Sequence, residues 1–212
     1  MILFRSIGAI YILVGFISSY VFAQSLNFLE LSLYILFYTY IVPPSLCRLT
    51  GFLLFKKLNL RNVVSNRSYP TDKTFSFWWV TTQLQLPFSR FEFLEEFLRM
   101  FPEIYSAWLR LWGAKIGSNV IWPPGVCVID RPFIEIGNEV LVGAYTKMTS
   151  HFVNRLSNEH KAELFLATIS IGSGATVGGA ANLYPGCQVK DNELIPPASH
   201  VKNGIFYTKE KS

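Results

Sequence analysis

Ile171-Gly172-Ser173-Gly174-Ala175-Thr176-Val177-Gly178-Gly179-Ala180-Ala181-Asn182-Leu183-Tyr184-Pro185-Gly186 is the stretch that decides the fold. Stepping by six from Ile171 lands on Val177, Leu183, Val189, Ile195 and Val201, all branched aliphatics. The fourth position of each unit is small: Gly174, Ala180, Gly186, Asn192, Ala198. Working backward, the same step links Ile116, Trp122 and Val128, and then Ile136, Val142 and Met148. A fixed short period is the mark of a repeat architecture. Each unit supplies one brief strand and one tight turn. The aliphatic enters a narrow interior and stacks on its counterpart in the next coil, and the small residue sits where the chain bends. Ordinary β-hairpins would not keep a strict period of six.

This pattern resembles the hexapeptide-repeat acyltransferases. The final run Ile195-Pro196-Pro197-Ala198-Ser199-His200-Val201-Lys202 looks like that superfamily's last coil. The resemblance implies a mainly β fold in the C-terminal half, residues 116–212, wound as a left-handed parallel β-helix with three units per triangular coil. The handedness would be an exception to the right-handed crossover rule.

The frame slips by two residues at Ile134-Glu135 and breaks after Val153, resuming at Ile171. Residues 154–168 are too polar for the coil and read as an irregular excursion loop, the kind of segment that carries function over a rigid scaffold. Counting faces across these breaks puts Asp130 and His151 on one face, one coil apart. Coils should lie about 4.8 Å apart, so the carboxylate could reach the imidazole. Such a pair fixes the tautomer and raises the basicity that a general base needs. The resemblance also points to a histidine at such an excursion as the general base. His160 inside the loop is the fallback, and Glu159 and Glu163 compete with Asp130 as partner. His200 is read as structural or surface.

The resemblance further implies acyl-CoA as cosubstrate, with no tightly bound cofactor and no metal, held in a groove between β-helices of a homotrimer. The matching positions are Gly178, Gly179 and Ala180, then Ala198 and Ser199, with Lys202 suited to a phosphate. Two other functions compete. One is a non-catalytic scaffold on the same fold. The other is a γ-class carbonic anhydrase-like enzyme, which needs three histidines around one zinc; here His160 falls in the loop and His200 is assigned to another face.

The first half differs in kind. Hydrophobic residues are 50% of the 212 and charged residues only 16%, a composition that leans toward a membrane. Ile7 to Ala23 and Leu26 to Val42 are apolar runs near the lower limit for spanning helices. Residues 1–60 therefore read as a helical hairpin or membrane anchor, stopped at Pro43-Pro44. A signal-peptidase site at Val21-Phe22-Ala23 and an interfacial second helix are the alternatives. Arg5 before the runs and Lys56, Lys57, Arg61 and Arg67 after them place both ends, and the catalytic domain, at the cytoplasmic side of the inner membrane.

Residues 61–115 are aromatic-rich. Phe91, Leu94, Phe97, Leu98 and Phe101 recur at helical spacing opposite Glu92, Glu95, Glu96 and Arg99, and a second helix carries Tyr105, Trp108, Leu109 and Trp112. These helices either lie in the bilayer interface or pack on the end of the β-helix. The expected acceptor is thus lipid-like or amphipathic. The net charge of +5 comes without a nucleic-acid-binding motif or a long basic run, so nucleic acid is not an expected partner. Cys47, Cys127 and Cys187 are too far apart for a disulfide or zinc framework and read as packing residues. Cys47, beside the anchor, is also a site where an acyl chain could attach.

Overall fold

The computed structural model describes residues 7–55, 67–68, 73–155, 162–202 and 205–207. Its first half is helical: α1 (Ile7–Ala23), α2 (Phe28–Tyr40), α3 (Val42–Phe55), α4 (Lys73–Arg90), α5 (Phe93–Arg99) and α6 (Pro102–Trp112). Its second half consists of short parallel strands in three sheets, a β-helix-like arrangement.

The six-residue step is visible in the pairing. Ile116, Ile136, Ile171 and Val189 are successive partners in one sheet. Val142, Val177 and Ile195 are partners in the second. Val128, Met148, Leu183 and Val201 are partners in the third. All of these side chains are buried, while the residue before each, such as Leu141 or Leu194, faces outward. The turns between faces need left-handed backbone. Gly174, Ala180, Gly186, Asn192 and Ala198 have φ of +70°, +58°, +76°, +58° and +57°. A Cβ at Gly178 would lie 2.4 Å from the backbone nitrogen of Pro197 in the next coil. The small residues thus answer to the turn and to coil stacking.

The coil is closed by α6. Tyr105, Trp108, Leu109 and Trp112 bury one face of that helix against the first coil. Trp122 Nε1 donates to Ser106 Oγ at 2.8 Å. Arg110 donates from Nε to the Ile116 carbonyl at 2.8 Å and from Nη2 to the Gly117 carbonyl at 2.6 Å. Both carbonyls belong to the coil's open edge. At the other end the strand His200–Lys202 pairs antiparallel with Ile205–Tyr207.

α1 and α2 form a hairpin. Tyr11 and Tyr38 stack at 4.9 Å, and each hydroxyl donates to the other residue's carbonyl, at 2.6 and 2.9 Å. A Cβ at Gly15 would stand 2.6 Å from the Tyr38 ring, so glycine permits this approach. Asn27 and Glu30 make a capping box that starts α2. The helix breaks at Ile41, and Pro43 and Pro44 then sit in the first turn of α3, where a missing N–H costs nothing. Among the described residues one helical stretch, Phe28–Gly51, is long and apolar enough to cross a membrane, and Ile10–Ala23 is a shorter apolar helix.

At three places the structure adds to or alters the sequence reading. Within the aromatic-rich segment 61–115, Lys73–Arg90 is a helix with Pro87 inside it, an element the sequence pattern did not reveal. Its β-branched and aromatic residues give it little intrinsic propensity, and it is held by packing. The excursion begins as the strand His151–Arg155, paired antiparallel with Ala162–Leu166, rather than as an irregular loop. Ala167 N donates to Ser150 O at 2.9 Å and closes the neck of this ribbon. α5 turns part of its charged side toward the protein. Glu95, Leu98 and Arg99 are buried, whereas Phe93 and Phe97 are 66% and 54% exposed, with Phe91, Met100 and Phe101 outward beside them. The charges face the protein because a buried arginine waits for them there.

Candidate active site

The corner leading from the third face back to the first is irregular twice. At the first crossing a 3-10 turn, Arg131–Phe133, absorbs the two-residue slip; at the second the ribbon leaves the coil. Only the third crossing, at Gly186, makes the tight left-handed turn. Asp130 and His151 stand at these two irregular corners, one above the other.

His151 Nδ1 lies 2.6 Å from Asp130 Oδ2. The same oxygen accepts from the Ser150 backbone N–H at 3.1 Å, and Oδ1 accepts from Trp78 Nε1 at 3.2 Å. Asp130 is 1% exposed, so these donors replace water around its charge. An ionised carboxylate can only accept, which puts the proton on Nδ1 and leaves a lone pair on Nε2. The imidazole is 19% exposed. Its other flank rests against the Trp78 ring, 4.6 Å between centroids.

Behind the pair lies a buried ionic network on which the sequence reading was silent. Gln85 Oε1 accepts from both the backbone N–H and Nη1 of Arg131, each at 2.9 Å. Arg131 Nη2 donates to Glu95 Oε1. The guanidinium sits among the rings of Phe88, Trp108 and Trp112, 5.5 to 5.6 Å from each centroid. Burial pulls its pKa down to about 9, still above neutrality, so it is charged at pH 7 and needs its carboxylate. Glu95 Oε2 accepts from Tyr105 Oη at 2.7 Å and from Arg99 Nη1 at 3.1 Å. Arg99 Nη2 also binds Glu96 at 2.7 Å. Trp78, Gln85, Glu95 and Arg131 carry no motif. The one available signal was the frame slip after Asp130, which marks an unusual corner.

Two cavities border this region. One, of about 430 Å³, is lined by Glu92, Glu96, Arg99, Lys147 and the two neighbours of Asp130, Ile129 and Arg131. The other, of about 380 Å³, lies among α1, α2, α4 and α5 and is almost wholly apolar, with Tyr11, Gly15, Ile35, Tyr38 and Leu94 in its wall. Phe88 belongs to both walls.

The remaining sequence candidates fall elsewhere. Glu159 and His160 lie outside the described residues, and Glu163 is described only as backbone of the ribbon strand. His200, assigned from sequence to another face, is in the same sheet as the strand preceding His151; its Nδ1 is 3.0 Å from Tyr184 Oη and the rings stack. Gly178 is covered by the following coil, and Gly179 is more open, its nearest neighbour the Ala144 carbonyl. Ala180 and Ala198 are exposed turn residues. Ser199 is buried, and its hydroxyl donates to the Pro196 carbonyl at 2.6 Å. Lys202 Nζ lies 5.7 Å over the Phe152 ring on the ribbon. Cys47 and Cys187 are buried and Cys127 is half-buried; Cys47 packs under Trp112 rather than standing open for acylation. Among the described residues no three of His, Cys, Asp and Glu come together as a metal site.

No protein-family model matches the chain, and no curated protein matches it. Among solved structures it is similar to a hexapeptide-repeat containing acetyltransferase from Vibrio cholerae, at 17% identity and a TM-score of 0.37, over 58% of this chain and 90% of that one. It is also similar to serine acetyltransferase isoform 3 from Entamoeba histolytica, at 11% identity and a TM-score of 0.18, over 85% of this chain and 64% of that one.

Proposed function

We propose that the protein is a membrane-bound acyltransferase, moving an acyl group from acyl-CoA to a hydroxyl or amine of a lipid-like or amphipathic acceptor. The observation that carries this is the His151–Asp130 pair at 2.6 Å, at a partly open corner of the coil, with no partner on Nε2 among the described residues. Nε2 takes the proton of the acceptor O–H or N–H as that atom attacks the thioester carbonyl. The tetrahedral adduct collapses, the C–S bond breaks, and the imidazolium returns its proton to the departing thiolate. Asp130 holds the tautomer throughout and stabilises the transient imidazolium. On this reading the coil is left-handed and the active form a homotrimer, with the donor lying along Gly178, Gly179, Ala180 and Ala198 and a phosphate near Lys202, while the buried Ser199 shapes the turn beneath it.

The membrane reading is supported by what faces outward. On the hairpin, Phe16, Tyr20 and Phe28 are 72%, 71% and 88% exposed, and α5 adds its aromatic face. Such a surface is stable where hydrocarbon replaces water. The charged and apolar cavities share Phe88 as a wall, and His151 is not among the residues lining either, so the acceptor reading rests on the outward apolar surface. Both ends of the anchor, and with them the coil, would face the cytoplasm, where acyl-CoA is available.

The test is acyl transfer from radiolabelled acetyl-CoA to extracted membrane lipids by the full chain in vesicles. His151→Ala is expected to lower it by about two to four orders of magnitude, and Asp130→Asn by less. Near-normal transfer by His151→Ala would falsify the assignment of the base.

A further inference from the structure

Asp130 is held in place by its own neighbour. Both the backbone N–H and the side chain of Arg131 are pinned to Gln85, and the guanidinium is tied to Glu95 inside an aromatic box. A buried ion pair adds little net stability over a well-packed apolar pair, because desolvation offsets the attraction. What it supplies is geometry. The regular crossing at Gly186 needs no such support, whereas the crossing that carries Asp130 has lost its tight turn to the 3-10 segment. Without an external anchor that corner would have several arrangements, and only one puts Oδ2 under His151.

We propose that Glu95 and Arg131 are positioning residues for the Asp130–His151 pair: α5 holds Arg131 through Glu95, and Arg131 fixes the corner from which Asp130 orients the imidazole. The proposal rests on the reading of that pair as the catalytic base. It gives a reason for the orientation of α5, whose buried carboxylate reaches the corner while its phenylalanines face outward. Glu95 bridges Arg131 to Arg99 and Tyr105, so the corner is fastened to both α5 and α6.

The test needs no acceptor. The chain has three histidines, so ¹⁵N-histidine labelling of the full protein in vesicles gives few signals, assigned by His160→Gln and His200→Gln. In the wild type His151 should show a fixed Nδ1–H tautomer. In Glu95→Gln that signature should give way to tautomer averaging. The rate of His151 acylation by diethyl pyrocarbonate, read by peptide mass spectrometry, should fall, because an imidazole no longer held by Asp130 loses the basicity that the carboxylate gives it. His200 should not change. Glu103→Gln, an exposed carboxylate in the first turn of α6, should keep wild-type values at His151. Because Glu95→Gln strands a buried arginine and could unfold the corner, the pair Glu95→Gln with Arg131→Met removes both charges and leaves an amide oxygen to accept from Tyr105 and Arg99. It should melt near the wild-type temperature and still lose the fixed tautomer. A folded pair variant with the wild-type signature and rate overturns the proposal, as does an equal change in Glu103→Gln. Absence of acetyl transfer by the wild type, with the tautomer result intact, would instead sink the acyltransferase reading alone.

Discussion

At the scale of single residues, Trp78 shows how much depends on one N–H. Asp130 is buried, and among the described residues the indole at 3.2 Å is the donor to its Oδ1. Trp78→Phe keeps a ring against His151 but leaves that oxygen unpaired. The expected cost is about 1.5–3 kcal/mol, the usual contribution of a hydrogen bond to a charged group, seen as a lower unfolding midpoint in denaturant. A midpoint equal to wild type would mean that water replaces the indole. Glu96 allows a prediction in pH. The Arg99 hydrogen bond and the Gly125 N–H hold its carboxyl below the usual range, against the opposing pull of burial. Its contribution is therefore fully present above the unfolded value of about 4.3 and is lost as pH falls through the depressed folded value. The group is partly exposed, so solvent screening keeps the effect small. Glu96→Gln should lower stability slightly near neutrality and flatten the acid limb of a stability-against-pH curve, meeting wild type once Glu96 is protonated in both states.

At the scale of elements, a coil this narrow separates inside from outside within one residue. Val177 is 1% exposed and Leu194, in the neighbouring strand, is 66% exposed. Val177→Asp buries a carboxylate with no donor and should abolish the folded domain, while Leu194→Asp should melt within a few degrees of wild type by circular dichroism. The inward positions were readable because period six repeats one environment many times over. Face counting across the two frame breaks, using the three-face geometry of the resemblance, also brought Asp130 to the face below His151. What could not be read was everything that packs on the coil. The helix Lys73–Arg90 has neither strong propensity nor a clean apolar stripe, so Trp78 and Gln85 had no visible destination. The charge pattern of α5 was plain, but amphipathicity shows only that two faces differ. Which face turns inward depended on Arg131, more than thirty residues away in sequence, and no local rule couples them. Of the two aromatic helices, α6 packs on the end of the coil, while α5 shows its rings outward.

At the scale of the whole molecule, the outward apolar residues of the hairpin and of α5 set the expected behaviour toward lipid. Phe93→Ser with Phe97→Ser removes two exposed rings without touching the inner face of the helix. Vesicle flotation of a form lacking residues 1–41 should then fall sharply, since each buried phenylalanine is worth about 1.5–3 kcal/mol. Flotation equal to that of the same form with both rings intact would show that α5 has no part in membrane seating.

A parallel coil, unlike a closed barrel, has no intrinsic length: each turn presents the same ladder that accepted the one before. Nothing in the six-residue pattern says where winding should stop. Arg110 is the punctuation. By occupying the carbonyls of Ile116 and Gly117 it closes the ladder at its start, as the antiparallel strand Ile205–Tyr207 does at its end. An unguarded ladder is a template for another chain. Arg110→Ala should therefore leave each molecule folded but able to add end to end, and light scattering would reveal growth into linear assemblies where the native chain keeps a fixed size.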